Sequence, residues 1–394
     1  MTTQALCLCA PSGRGPIGQT RTREMSGQTF STSFRRTKKS QRPKISGENE
    51  DAGFFISFPG SEWPRPRAPI YTHPSMKAIV VPRRGGPDVL ELRDVPEPVL
   101  REEKNEVLID VEAIGVNFAD TVQTQGMYPS GPRPPYIPGL EFAGRIHNTD
   151  KRVMGFVHSG ACAERLAARQ ESLLPAPKDW SAAEAASFPV NYFTAYFAYR
   201  MAALTEGDAR GKRVLIHAVA GGVGTAAVEI GKLLGLEMFG TSSSDDKLRK
   251  VKELGLTHGI NYRTQDYEKT IAEMTSGRGV HAVLEMLGGE HTAKGTRCLA
   301  DMGHIIIYGL ATGQAPQFDF MAMFQKNLSA HALWLTPLAA HPELMRAAWQ
   351  RLSGWIAEGK LRPVVGTQLP LERAADAHRM LLERRNYGKV VLTV

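Results

Sequence analysis

The sequence predicts an α/β protein of two domains, a mainly β domain followed by a doubly wound domain with a parallel sheet. Short, β-branched and partly alternating segments fill residues 76–177, whereas strands and helices alternate from Lys212 to about Leu335. Between Val214 and Gly235 an apolar strand, a glycine-rich turn and a helical pattern follow one another, an order that favours a phosphate-bearing ligand on the turn. With 394 residues the chain is long enough for two domains.

The first domain begins at Met76, where the composition changes abruptly. Its segments "KAIVV", "VLELRDV" and "EVLIDVEAIGVN" are separated by the turn sequences "GGPD" and "PEPV", which predicts a series of short strands. The β region reaches to about Pro177, and a helical stretch begins at Ser181, which fits a capping box with Glu184. We place this domain at residues 76–195.

The second domain, residues 196–335, contains six predicted strands: "RVLIHA", "EMFGTS", "HGINY", "HAVLEML", "HIIIYGL" and "SAHALWL". Helical segments such as "DDKLRKVKELG" and "DYEKTIAEMTSG" lie between them, and this alternation predicts a parallel sheet covered on both faces. Residues 336–394 add a helix with Pro342 near its start and Gly359 past its end. We expect residues 336–394 to complete the first domain, to which the final segment "KVVLTV" returns as a strand.

Residues 1–75 differ from the rest of the chain in composition. They hold 11 basic and 5 acidic residues, a net charge of +6, so the other 319 residues carry +2 of the total of +8. Gly, Pro, Ser, Thr and Arg dominate and no helical or strand period is sustained, which predicts disorder. The nearly neutral remainder gives no support to nucleic-acid binding. The sequence holds no run of about 20 apolar residues, so it predicts no membrane span.

The sequence leaves three interpretations of this basic extension open. It is an inert or spurious addition before a working start at Met76, a regulatory arm, or a transit peptide, since its first 44 residues carry nine bases and the single acid Glu24. We expect the protein in the cytoplasm, or in the mitochondrion if the extension is a transit peptide. The four cysteines are scattered, which predicts a reducing compartment and no cysteine-built zinc site.

The glycine-rich turn predicts a dinucleotide site. Gly222, Gly224 and Ala227 form the pattern G-x-G-x-x-A. In this pattern the first glycine allows the tight turn, the second lets the pyrophosphate approach, and the small third residue allows close helix–strand packing. The surrounding βα array strengthens a motif that is weak alone, and a purely structural turn is the alternative. The residues expected to bind the cofactor here are Ala220, Gly221, Gly222, Val223 and Gly224.

The end of the next strand favours NADP over NAD. An NAD site would place an acidic residue there on the ribose 2′-hydroxyl. Ser242 stands twenty residues after Gly222, with Ser243 beside it and Lys247 one helical turn later. Hydroxyls and a lysine suit a 2′-phosphate. The neighbouring pair Asp245 and Asp246 complicates this, and the alternative is an ordinary helix N-cap with charged first-turn residues.

Together, the β domain, the "AGGVG" turn and the C-terminal return strand resemble the medium-chain dehydrogenase/reductase superfamily. More narrowly, the chain resembles its zinc-independent, zeta-crystallin-like quinone oxidoreductases. The resemblance covers about Met76 to Val394 and is carried by "GVNFADTVQTQGMYP", "PYIPGLEFAG", "VLIHAVAGGVGTAAVEI", "INYR" and "YGKVVLTV". It implies a GroES-like catalytic domain and a Rossmann NADP-binding domain.

Two positions argue against a catalytic zinc. Zinc-dependent alcohol dehydrogenases of this fold carry Cys where Asn117 stands in "GVNFAD" and His where Leu140 stands in "PGLEF". Asn and Leu provide neither the thiolate nor the imidazole that zinc prefers. Without a Lewis acid, a conjugated acceptor that delocalises the incoming charge is easier to reduce than an alcohol is to oxidise. We therefore expect no metal ion in this protein.

The resemblance implies four residues near the reacting groups. Asn117 and Tyr128 would border the substrate and the nicotinamide, and Asp120 is a neighbouring candidate for which a helix-capping role is the alternative. Thr194 matches the position where the family contacts the nicotinamide end, against the alternative of an ordinary helix hydroxyl. A Tyr128 hydroxyl or a water would supply the proton for reducing an alkene.

Three further positions are implied to contact the cofactor. Tyr262 in "INYR" would lie near the adenosine phosphate, with a half-buried strand tyrosine as the alternative. Gly309 would allow close backbone approach to the nicotinamide. Lys389 in "YGKVV" would lie near the cofactor phosphates, with a surface charge as the alternative.

The predicted function is an NADPH-dependent, zinc-independent reductase that transfers hydride to quinones. An enoyl or 2-alkenal double-bond reductase is the alternative in the same chemical class. A non-catalytic NADPH-binding protein with a structural or RNA-binding role is a third hypothesis. The resemblance also implies a homodimer formed by pairing of the last sheet strands, near Ser329 to Leu335.

Overall fold

A computed structural model describes residues 74–394 of the chain. Apart from Pro74 and Ser75, the extension predicted to be disordered lies outside the described residues. The strands of the described part are Ser75–Val80 (β1), Glu91–Pro96 (β2), Glu106–Val116 (β3), Glu141–Ile146 (β4), Arg152–Phe156 (β5), Arg165–Arg169 (β6), Leu174–Pro175 (β7), Arg213–Ile216 (β8), Glu237–Ser242 (β9), His258–Asn261 (β10), Val280–Glu285 (β11), Leu299–Ile307 (β12), Ser329–Ala332 (β13), Val365–Pro370 (β14) and Lys389–Thr393 (β15).

Helices of the described part alternate with these strands. They are Phe118–Thr124 (α1), Ala182–Ala186 (α2), Pro189–Met201 (α3), Gly222–Leu234 (α4), Asp245–Leu254 (α5), Tyr267–Met274 (α6), Glu290–Cys298 (α7), Phe320–Gln325 (α8), Leu335–Ala339 (α9), Pro342–Ala357 (α10) and Ala374–Leu382 (α11). None of the helices in residues 74–394 is long and apolar enough to cross a membrane.

Strand β3 organises the first domain because its eleven residues pair with three other strands. Its second half runs antiparallel to β15, its middle to β4 and its first half to β6. The resulting seven-stranded sheet has the order β14-β15-β3-β4-β5-β7, with β6 added on β3. The predicted return of "KVVLTV" to the first domain is therefore confirmed.

The predicted helical stretch after Ser181 is two helices and not one. Ser181 and Glu184 form the predicted capping box, with a Glu184 N to Ser181 Oγ distance of 3.2 Å, and α2 begins there. Proline lacks the N–H that an α-helix needs in its interior but fits the first turn. Pro189 accordingly stands at the start of α3, and α2 ends before it.

The second domain is a doubly wound sheet, as predicted. Its six parallel strands have the order β10-β9-β8-β11-β12-β13, so the strand order reverses between β8 and β11. Alternate residues of β8 face opposite sides: Val214 and Ile216 pack with α3 and α4, whereas Leu215 packs with α6 and α7. Burial on both faces explains why this strand is apolar from Val214 to Ile216.

The segment 336–394, expected as a whole to complete the first domain, divides between two cores. Ala348, Leu352 and Trp355 of α10 lie in the core that also contains α3 and α4. The parts around α11 and β15 pack instead with β3. Helix α3 also runs without a break across the boundary that we predicted between residues 195 and 196.

Candidate active site

The glycine-rich turn connects β8 to the N-terminus of α4, where Gly221 is the N-cap. The turn itself lies earlier than predicted: Gly221 N donates to Ala218 O over 2.9 Å, and Ala218 has a φ of +48°. The first amides of a helix have no partner within the helix. In the part of the chain that the structure describes, the amides of Val223 and Gly224 also have no partner outside it, whereas Gly222 N faces Gly388 in the bridge between Gly221 and Gly388. The two free amides make this helix end a suitable site for a phosphate.

The structure gives Gly222 and Gly224 contacts that the pattern G-x-G-x-x-A did not predict, and the approach of a pyrophosphate to Gly224 stays a prediction. A Cβ on Gly224 would lie 2.5 Å from the Val219 carbonyl, so Gly224 allows the close helix–strand packing that we assigned to Ala227. A Cβ on Gly222 would lie 2.7 Å from the side chain of Asn191, so the space at Gly222 belongs to a protein side chain. The backbone of Ala220 instead holds the C-terminal segment, since Gly388 N donates to Ala220 O over 2.8 Å.

A polar cluster lies at the end of β9. Lys247 Nζ donates to Arg384 O over 2.6 Å, and Arg384 Nη1 donates to the Tyr262 hydroxyl over 3.3 Å. The backbone of Tyr262 is held by Ser242 O over 3.1 Å, and Ser243 follows β9 directly. Burial lowers the pKa of Lys247, and the neighbouring Tyr262 acts against that shift. Two cationic groups and hydroxyls thus converge where a 2′-phosphate was predicted.

The two aspartates that complicated this assignment have other partners. Asp245 Oδ1 accepts from Asn261 Nδ2 over 3.0 Å, and Asp246 pairs with Arg249 and with Lys250, the latter at 3.1 Å. Ser244 is the N-cap of α5, so the capping alternative is correct for this residue. The acidic side chains therefore do not neutralise the cluster around Lys247.

A buried ion pair occupies the centre of the site. Lys389 is 2% exposed and its ammonium pairs with Glu141, which is fully buried. The same ammonium donates to Asn117 Oδ1 over 2.6 Å and to Asn191 Oδ1 over 3.4 Å. The surface-charge alternative for Lys389 is wrong. All three N–H groups are directed at protein oxygens, so a phosphate contact would have to replace one of them.

Asn117 and Asp120 are joined by hydrogen bonds at the start of α1. Asn117 N donates to Asp120 Oδ2 over 2.7 Å, which makes Asp120 the reciprocal half of a capping box. Asn117 Nδ2 donates to Glu141 Oε1 over 2.9 Å, and this bond ties the helix start to the ion pair. Asp120 Oδ1 is buried and has no hydrogen-bond partner in residues 74–394. Burial raises the pKa of Asp120 to about 7.

Three further predicted residues lie outside this hydrogen-bond network. Thr194 lies on α3 one turn after Asn191; it is buried, and its hydroxyl makes no hydrogen bond to another described residue. Gly309 follows β12, and a Cβ there would come within 3.2 Å of the Met286 backbone. Tyr128 is half-buried and its hydroxyl accepts a hydrogen bond from Trp334 Nε1 over 2.8 Å.

Four residues of the site escaped the sequence reasoning: Glu141, Asn191, Arg384 and Trp334. Glu141 stands inside the quoted segment "PGLEF" and Asn191 inside the helix that carries Thr194, so a signal existed for both. Arg384 and Trp334 come from distant parts of the chain, and neither the predicted strand "SAHALWL" around Trp334 nor the residues around Arg384 indicate these contacts. Only the fold brings them to Tyr262 and Tyr128.

The raised pKa of Asp120 has a consequence for stability. A folded-state pKa of about 7 against an ordinary value of 3.8 means that the folded chain holds this proton more tightly than the unfolded chain. The free energy of unfolding should therefore fall through this group as the pH rises from about 4 to about 7. Measured by urea unfolding across that pH range, the free energy of unfolding of Asp120→Asn should fall less with rising pH than that of the unaltered protein. The exposed carboxylate variant Asp94→Asn is the control, and an unchanged slope in Asp120→Asn would contradict the prediction.

Comparison with known proteins agrees with this architecture. Residues 103–178 match the family described as alcohol dehydrogenase GroES-like domain, and residues 254–392 match the family described as zinc-binding dehydrogenase. The synaptic vesicle membrane protein VAT-1 homolog of Danio rerio is 34% identical over 80% of this chain and 70% of its own length. The quinone oxidoreductase of Lama guanicoe is 32% identical over 80% of this chain and 97% of its own.

Solved structures of similar proteins support the same family. The quinone oxidoreductase from Thermus thermophilus, described together with its complex with NADPH, matches with a TM-score of 0.73 and 36% identity, over 81% of this chain and all of that one. The predicted GroES-like and Rossmann-type fold is confirmed. The chain is an oxidoreductase that belongs to the zinc-independent quinone oxidoreductase branch of the medium-chain dehydrogenase/reductase superfamily.

Proposed function

We propose that this protein is an NADPH-dependent reductase that transfers hydride to quinones without a zinc ion. The observation that carries the proposal is the polar cluster of Lys247, Tyr262 and Arg384 at the end of β9, in a chain whose zinc-ligand positions hold Asn117 and Leu140. The relatives named quinone oxidoreductase support the same chemistry. A quinone suits a site of this kind because its conjugated carbonyls delocalise the charge that arrives with the hydride.

The cofactor is NADPH. The free amides of Val223 and Gly224 suit its pyrophosphate, and the cluster around Lys247 suits its 2′-phosphate. When bound, NADPH supplies the hydride. The protein orients the reactants and controls the charge around them.

The chain's own residues then have distinct tasks. Thr194 and Gly309 border the nicotinamide end, where a buried hydroxyl and a position without a side chain allow close approach. Asn117 is held by Glu141 and Lys389, so it positions α1 and the loop after it. Tyr128 supplies a proton to the reduced acceptor.

Double-bond reduction of an enone is the second candidate, and one observation favours it. A reduced quinone takes its protons onto oxygens that water also reaches, whereas an enone needs a proton placed at carbon. The half-buried hydroxyl of Tyr128 is a group of the right kind for that placement. No contact within residues 74–394 favours the non-catalytic hypothesis.

The acceptor is tested by following NADPH oxidation by its absorbance with the full-length protein, against a series of quinones and a series of enones, each with and without a chelator. We expect turnover with quinones that the chelator does not change. Turnover with enones alone would move the assignment to double-bond reduction. Binding of NADPH without any turnover would support the non-catalytic hypothesis instead.

The cofactor assignment is tested at the cluster. Lys247→Ala and Arg384→Ala should each raise the dissociation constant for NADPH by about 10- to 100-fold, since each loses a hydrogen bond or ion pair to a charged group. The constant for NADH should hardly change. Arg385→Ala is the matched control, because the adjacent Arg385 pairs with Glu383. Equal losses for NADPH and NADH would contradict the 2′-phosphate assignment.

We also propose that two copies pair through β13. This strand ends the parallel sheet, and its outer edge has no partner among the described strands. Light scattering should then give twice the chain mass of 43.2 kDa. Ala330→Lys, on the exposed edge, should give a monomer, whereas Ala339→Lys on α9 should leave the dimer intact. A monomeric parent protein would contradict the proposal.

A further inference from the structure

An indole N–H from the end of the parallel-sheet domain reaches the hydroxyl of the candidate proton donor. Trp334 Nε1 donates to Tyr128 Oη over 2.8 Å, although 206 positions separate the two residues. Their rings meet edge to face, with centroids 5.8 Å apart and planes at 84°. The contact joins the loop after α1 in the first domain to the segment after β13 in the second.

Both partners are held by their own segments. Trp334 is the N-cap of α9, and the preceding Leu333 is buried and donates its amide to Ile307 O over 2.8 Å. On the other side, Gly131 N donates to Tyr128 O over 3.1 Å, and His158 Nε2 lies 2.8 Å from Ser130 O. The two side chains therefore extend from backbone segments that are held by hydrogen bonds to neighbouring parts of the described chain.

The direction of this hydrogen bond follows from the chemistry of its partners. An indole nitrogen only donates, whereas a phenol oxygen has one hydrogen and two lone pairs. Tyr128 must therefore accept from Trp334, and its own hydrogen cannot take part in that bond. The hydroxyl hydrogen of Tyr128 remains available for another acceptor.

We propose that Trp334 is a positioning residue that aims the Tyr128 hydroxyl at the acceptor and stabilises the phenolate left after proton transfer. This inference rests on the proposed reductase function and deepens it. In the step, the Tyr128 O–H bond breaks and its proton bonds to the acceptor, which has already received the hydride and its two electrons. The phenolate then takes a proton from water.

The surroundings of the phenol disfavour its ionised form, which the hydrogen bond from Trp334 stabilises. Burial raises the pKa of Tyr128, and the carboxyl group of Asp120 on α1 acts in the same direction. Hydrogen bonds from Trp334 and Thr336 oppose that rise. A phenol without the indole N–H is a weaker acid, and it transfers its proton more slowly.

The kinetic test removes the N–H and keeps the ring. Trp334→Phe should lower kcat by about 3- to 10-fold, the range that corresponds to one neutral hydrogen bond, and leave the KM for the acceptor unchanged. If Trp334→Phe folds poorly, Trp334 is replaced instead by 3-benzothienylalanine, which keeps the shape of indole and lacks the N–H. This variant should show the same fall in kcat with an unchanged KM. Trp349→Phe is the matched control, since Trp349 is half-buried beside Phe188 and its indole makes no hydrogen bond to a described residue.

A double-mutant cycle separates positioning from general structure. If Trp334 acts through Tyr128, the variant Trp334→Phe/Tyr128→Phe should turn over as fast as Tyr128→Phe alone. Independent, multiplying losses from the two substitutions would overturn the proposal. So would a kcat for Trp334→Phe equal to that of the unaltered protein.

A spectroscopic measurement tests the hydrogen bond without any acceptor. Protein labelled with 3-fluorotyrosine, a stronger acid than tyrosine, is titrated by fluorine NMR, and the Tyr128 signal is assigned by its loss in Tyr128→Phe. Trp334→Phe should raise the pKa of that residue by about half to one unit, which matches the expected change in rate. An unshifted titration overturns the proposal. A shifted titration in a protein that reduces no acceptor would overturn the proposed function and leave the hydrogen bond established.

Discussion

The buried ion pair between Lys389 and Glu141 is the interaction on which the rest of the site depends. Two charges removed from water are stable only when their remaining polar atoms are also satisfied. Glu141 Oε2 accepts from Val190 N over 2.8 Å, and the ammonium of Lys389 is shared with Asn117 and Asn191. The pair therefore connects the last strand of the chain, a central strand of the first sheet, the start of α1 and the helix that carries Thr194.

The C-terminal segment contacts the second domain at several points just before it enters this pair. Arg384 reaches the cluster at the end of β9, and Gly388 pairs with Gly221 in the turn before α4. Lys389 follows directly and enters the ion pair. Three residues within the stretch 384–389 thus contact the cluster around Lys247, the glycine turn before α4 and the buried ion pair.

The surroundings of Lys247 differ in polarity from those of Asp120 and Tyr128, and the two environments suit different chemical groups. The half around Lys247 is partly exposed and cationic, which suits a phosphate. The half around Asp120 and Tyr128 is more buried, and there burial disfavours the charged forms of both acids. A neutral phenol is a form from which a proton can be supplied at neutral pH.

The sequence by itself determined the two domains, the doubly wound sheet, the return of the last strand and the presence of a glycine turn. Each of these depends on local signals, namely apolar periodicity, turn residues and capping pairs, which act over a few neighbouring residues. Local signals also carried the candidates in the glycine turn and at the end of β9, whereas Asn117, Lys389 and the other candidates were implied by the family resemblance. Local signals did not show what lies beside Gly222 and Gly224, since the neighbours of a glycine are a property of the folded turn.

Only the tertiary structure decided which side chains meet. Pro189 divides a helix that the sequence pattern continued, and Asn191 on the second piece fills the space beside Gly222. Lys389 has the form of a surface lysine in the sequence and becomes a buried cation because Glu141 lies opposite it. Arg384 and Trp334 reach their partners across 122 and 206 residues. Contacts at such separations leave no periodic trace, because their energy comes from charge, hydrogen bonding and burial between segments and not within one.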